Sequence, residues 1–115
     1  MTTQDMLDEL FEEIKSEIMA DVAQADLFSE TLLRSKIKGA YREVVRARRY
    51  PKRYTEADIE DDIVNYYSNI KDLAMYDYSA VGSEGLSSYS ADGTSIHYKD
   101  RKQCFSGIYP IPTVG

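Results

Sequence analysis

Residues 30–55 read ETLLRSKIKGAYREVVRARRYPKRYT, and this stretch decides the fold. Leu33, Ile37, Ala40, Val44 and Ala47 recur every three or four residues, which puts them on one face of a helix. Arg34, Lys38, Arg42 and Arg46 run beside them four apart, a second and basic stripe. The helix is expected over about residues 30–49, with Ser29 as its N-cap. It ends where Tyr50 precedes Pro51, because proline disfavours the helical conformation in the residue before it. The connection from Pro51 to Tyr54 is short, so the following helix should run back alongside, roughly antiparallel.

Upstream, from about Thr3 to Ala20, Leu7, Leu10, Phe11, Ile14 and Ile18 repeat the one-sided pattern. The first turns of that helix are rich in acids, which suits the positive end of a helix dipole. Residues 21–30 are less regular and hold a turn. Downstream, Thr55 and Asp58 approximate a capping box that opens a third helix. Ile59, Ile63, Tyr66, Ile70 and Leu73 carry its stripe, and Tyr66, Tyr67, Tyr76 and Tyr78 wall the core with hydroxyls reaching the surface.

Past Ala80 the texture changes. Gly82 and Gly85 mark a loop, and two strand-like segments then flank Ala91-Asp92-Gly93. Asp-Gly between such segments is a strong hairpin signal, because both central residues of a type I′ turn need positive φ. Asp100 to Phe105 suits one helical turn closed by Gly107. The end, Ile108-Tyr109-Pro110-Ile111-Pro112-Thr113-Val114-Gly115, is apolar, but its two prolines bar it from an interior strand. The expected fold is therefore mainly α: a small helical bundle of three main helices with a protruding β-hairpin, a short helix and an extended C-terminal tail. It is one domain, with residues 1–81 as the bundle, 82–99 as loop and hairpin, and 100–115 as short helix and docking tail.

Composition narrows the function classes. The chain has 115 residues, a formal net charge of −6, one cysteine and one histidine. No apolar run approaches the roughly 20 residues that span a bilayer, and no signal peptide is expected at Met1-Thr2-Thr3-Gln4-Asp5. An intracellular domain without disulfides is expected, since Cys104 has no partner. The net charge conceals three blocks: −7 over residues 1–28, +8 over residues 34–53 and −6 over residues 55–78. The plain use of most of these charges is pairing inside one molecule, with the basic helix lying between two acidic ones.

No constellation points to catalysis. His97 sits in a strand-like segment with no oriented partner, and Cys104 beside Phe105 reads as packing. Glu60, Asp61 and Asp62 are consecutive on a helix and so diverge, unlike the spaced ligands of a calcium loop. The glycines at 82 and 85 follow a helix and no Gly-Lys-Ser or Gly-Lys-Thr accompanies them, so no phosphate loop is supported. No catalytic residue, metal or cofactor is expected. The alternative function is nucleic-acid binding through the basic helix 34–53, with Tyr41, Tyr50 and Tyr54 among its bases. An overall acidic chain with a pI near 4.7 opposes it.

An ordered string of features carries a resemblance. Arg49-Tyr50-Pro51 closes the basic helix, Tyr54-Thr55 opens an acidic one, and Asn69-Ile70 with Tyr76-Asp77-Tyr78-Ser79 ends it. Val81-Gly82-Ser83-Glu84-Gly85, the serine-flanked hairpin around Asp92-Gly93 and a proline-containing apolar end follow. Over roughly residues 40–114 the chain resembles the small head–tail connector, or adaptor, proteins of tailed bacteriophages. Where members often carry a basic residue on the strand after the hairpin glycine, this chain has Ile96 and His97.

The resemblance implies a homo-oligomeric ring, usually a dodecamer, that docks on the portal protein after DNA packaging. Such a ring extends the DNA channel, which passes the genome without sequence-specific binding, and gives the tail or neck stopper protein a platform. It implies a virion protein at the head–tail junction, found in the host cytoplasm during assembly, with no membrane partner. On this reading Arg42, Arg46 and Arg49 face acids such as Asp61 or Asp62 at a subunit interface. Ser88, Tyr89, Ser90, Asp92 and Gly93 form the hairpin contact with a neighbour or the portal. Ile108, Tyr109, Ile111 and Val114 form a C-terminal docking arm.

Overall fold

A computed structural model describes residues 2–83 and 101–111 of the chain. The expected hairpin, with Ser88, Tyr89, Ser90, Asp92 and Gly93, lies outside the described residues, as does Val114. Five α-helices appear among the described residues: α1 (Thr3–Met19), α2 (Val22–Ala25), α3 (Glu30–Arg48), α4 (Glu56–Ile63) and α5 (Tyr67–Ser83). Short 3-10 turns occupy Val64–Tyr66 and Arg101–Phe105.

The helix starts follow local chemistry. Thr2 and Asp5 form a reciprocal capping box on α1, and Thr55 and Asp58 form another on α4. Ser29 Oγ accepts from the Leu32 amide at 3.2 Å and caps α3. Helix α3 stops one residue earlier than Pro51 requires, because Arg49 turns into the left-handed region at φ 51° and forms the C-cap.

The third helix of the sequence reading is two helices. The 3-10 turn interrupts it at Val64–Tyr66, within the run Ile63-Val64-Asn65-Tyr66-Tyr67, where β-branched, amide and aromatic residues all form helix weakly. Its core stripe survives the break, since Ile63, Ile70 and Leu73 are all buried.

α1, α3 and α5 form the bundle, with Met6, Leu10, Phe11, Ile14, Leu33, Ile37, Ala40, Val44, Ile70, Leu73 and Ala74 in one apolar core. Arg48 meets Asp62 and Tyr66 at one end, while the Ser29 amide donates to the Tyr78 hydroxyl at the other, so α3 and α5 run antiparallel. The tyrosines behave as amphipathic walls: Tyr67 donates to Glu13, and Tyr78 accepts from Ser29 while packing on Phe28.

The tail departs most from expectation. Residues 101–111 lie against the bundle as a strap, with Cys104, Ile108 and Ile111 buried in their own molecule. Gly107, at φ 84°, closes the 3-10 turn as foreseen. The strap ends by giving the Ile111 amide to the Arg48 carbonyl at 2.8 Å, one of the orphan acceptors at the end of α3. Ile108 and Ile111, expected in a docking arm, pack in the single chain as anchors of its own fold. Tyr109 alone of that group faces outward among the described residues, 70% exposed.

Candidate functional site

Two arginines act as clamps inside the molecule. Arg48, at the end of α3, donates from Nε and Nη2 to the two oxygens of Asp62 at 2.9 and 3.0 Å. Its Nη1 reaches the Tyr109 carbonyl at 2.7 Å, and Tyr50 Oη donates to the same Asp62 at 2.6 Å. One guanidinium fork thus ties α3, α4 and the strap, the planar bidentate geometry that lysine lacks. Burial pushes the Tyr50 hydroxyl well above its ordinary pKa, and the adjacent Asp62 carboxylate adds to the effect.

Arg101 opens the strap and spans two carboxylates. Nε and Nη2 contact Asp77 of α5 at 2.8 and 2.9 Å, while Nη1 and Nη2 contact Glu43 of α3. Its hydrogen bonds to Asp77 and then Glu43 hold the guanidinium charged far beyond its usual range. A third tie joins α1 to α5. Lys71 Nζ sits 2.8 Å from Glu13 and 2.7 Å from Glu17, and the hydrogen bond from Lys71 is the main reason the Glu13 pKa is lowered. In each cluster the charged donors meet carboxylate acceptors, so these groups hold the fold.

The same pairing leaves one face of α3 uncovered. Of the nine bases in residues 34–53, Arg34 and Arg48 make the ion pairs seen among the described residues. Lys38, Arg42 and Arg46 are exposed and form a row along the side of α3 opposite its core stripe, and the exposed Arg49 caps the helix at the end of that row. Among the described residues, most of the basic block makes no ion pair.

Of the two acids expected at a seam with Arg42, Arg46 and Arg49, Asp62 accepts from Arg48 and Tyr50 of its own chain through both of its oxygens. Asp61 is exposed and lines an open pocket of about 510 Å³ with Arg53, Tyr54, Asp58, Asp62 and Asn65. Glu60 points elsewhere and accepts from the Thr3 amide at 2.9 Å, so the three consecutive acids diverge as their spacing requires. Among the described residues no group of three His, Cys, Asp or Glu side chains is placed to hold a metal ion. No helix among them is long and apolar enough to cross a membrane.

Sequence reasoning passed over Arg48 and Arg101. A signal for Arg48 existed in the phase of the helix: it stands four residues after Val44, on the flank of the core stripe, whereas Arg42, Arg46 and Arg49 fall on the far side. Arg101 had none, since periodicity is silent outside a long helix. Compared with known proteins, the chain matches no family model, no curated protein and no solved structure.

Proposed function

We propose that the chain is a structural adaptor without catalysis, a head–tail connector of a tailed phage whose copies form a ring on the portal protein. The ring extends the DNA channel and gives the next neck or tail component its seat. The observation that carries this reading is the uncovered row Lys38, Arg42, Arg46 and Arg49 on a chain of net charge −6. A stripe of four exposed cations with no ion pair among the described residues, on an acidic protein, steers a complementary surface toward it and discourages like-charged ones. The three arginines expected at an interface all belong to that row, which supports a contact made by another molecule.

The resemblance to connectors supplies the kind of assembly, and the outward Tyr109 at the end of the strap offers a further contact point beside it. Light scattering and negative-stain imaging of the chain, alone and with portal protein, test the reading. Rings or a stable portal complex are expected. A strictly monomeric chain that ignores the portal, and instead shifts DNA with steep salt dependence, would replace the adaptor by the nucleic-acid reading.

A further inference from the structure

The basic row needs a counterpart, and the molecule carries one. On α1, Asp5, Glu9 and Glu12 stand at successive turns of the exposed face, away from the buried Met6, Leu10 and Ile14. Asp5 is engaged only in its own cap, and Glu9 and Glu12 make no hydrogen bond or ion pair among the described residues. The other acids of this helix are used: Asp8 meets Arg34, and Glu13 and Glu17 meet Lys71. In α4, Asp62 is closed by Arg48 and Asp61 shares its pocket with the cation of Arg53.

We infer that the Lys38–Arg42–Arg46–Arg49 row of one copy docks on the Asp5–Glu9–Glu12 row of a second copy. The two rows match in pitch and are opposite in sign. Both step by three or four residues, so their charges recur about every 4.5–6 Å along the two helix axes. Facing helices can therefore pair several charges at once, which gives register where a single exposed pair would give almost nothing. The rows sit on different helices, so the contact is head-to-tail: each copy offers one row to each neighbour, the arrangement that builds a closed ring or an open filament. This seam rests on the adaptor reading and names its surfaces. A phosphate backbone is the rival occupant of the basic row, but the acidic rows and net charge of the same chain oppose its approach.

The full-length chain tests it. Two double variants, Arg42→Glu with Arg46→Glu and Glu9→Arg with Glu12→Arg, alter exposed side chains only, and circular dichroism checks that each stays folded. Sedimentation across a salt series should show wild-type self-association that weakens as salt rises. Each variant alone should associate about tenfold less tightly or worse, the loss of several weak pairs together. An equimolar mixture should recover association, because one variant then carries acids on both rows and the other bases on both.

Undiminished assembly of the Arg42→Glu/Arg46→Glu variant would overturn the seam while leaving the adaptor reading intact. A mixture that fails to recover would remove α1 as the counterpart. A wild-type chain that never associates, with or without portal, would sink both. Tight DNA binding abolished by Arg42→Glu/Arg46→Glu, without any copy-to-copy association, would give the row to phosphates instead.

Discussion

Asn69 shows how much one half-buried amide can organise. Its Nδ2 donates to the Cys104 carbonyl at 2.8 Å and to the Ser106 carbonyl at 2.9 Å, so a single side chain on α5 receives the end of the strap's 3-10 turn. Asn69→Ala should cost about 1–2 kcal/mol, since two carbonyls lose their donor near the apolar core. Asn69→Asp should cost more at neutral pH, because it turns an acceptor charge toward two acceptors. Urea unfolding measures both, and the reverse order would mean the amide is not what holds the strap. Arg49 argues in the opposite direction. It is the only non-glycine residue at positive φ among those described, a conformation that costs a side-chain-bearing residue roughly 1 kcal/mol. Arg49→Gly should therefore raise stability by about that amount in thermal or urea melts, with Arg49→Ala as the control that removes the charge without freeing the backbone. Equal stability of the two variants would rule out backbone relief as the cause.

At the scale of elements, the strap is the piece that turns a three-helix bundle into a closed body. Polar ties from Arg48, Asn69 and Arg101 surround three apolar anchors, so it should open as a unit rather than fray residue by residue. Ile108→Ala should destabilise the whole fold by roughly 2–4 kcal/mol through the cavity it leaves. Arg101→Lys, which keeps the charge but loses the fork, should instead raise hydrogen exchange at Ser106 and Ile108 while the core amides of α3 and α5 stay protected. Uniform loss of protection would show that the strap has no independent opening. The helices themselves were legible in the sequence, because Leu33, Ile37, Ala40 and Val44 obey a period and Ser29 and Thr55 announce their own starts. The break at Val64–Tyr66 was not read, since an intact apolar stripe runs through it and only the weak helix formers betray it. In sequence the strap is apolar and proline-broken, and its destination is hidden. Nothing in Ile108 or Ile111 distinguishes a groove in the same molecule from one in a partner, and the side chains that hold the strap, Arg48 and Asn69, reach partners 61 and 37 residues away in sequence.

For the whole molecule, the charge blocks were legible but their division of labour was not. Composition gives a +8 segment between two acidic ones; helical phase hints at, and packing fixes, the difference between Arg48, turned inward onto Asp62, and Arg46, turned outward two residues earlier. The same sorting governs how the fold should respond to acid. Helix α1 is joined to α5 by its core face and by the tie of Lys71 to Glu13 and Glu17, with Tyr67 donating to Glu13. The Glu13 pKa is lowered from its ordinary value of 4.5, first by the hydrogen bond from Lys71 and then by that from Tyr67. A carboxylate with a lowered folded pKa binds fewer protons folded than unfolded, so its stabilisation is full above pH 4.5 and drains away as pH falls through the lower folded value. Urea midpoints should therefore decline below that pH, and Glu13→Gln should start from a lower plateau and decline less steeply. Because the pair is solvent-facing, the plateau difference should stay small and shrink further in high salt. Parallel acid limbs for the wild type and Glu13→Gln would show that the tie carries none of the linkage, leaving α1 held mainly by its buried face of Met6, Leu10, Phe11, Ile14 and Ile18.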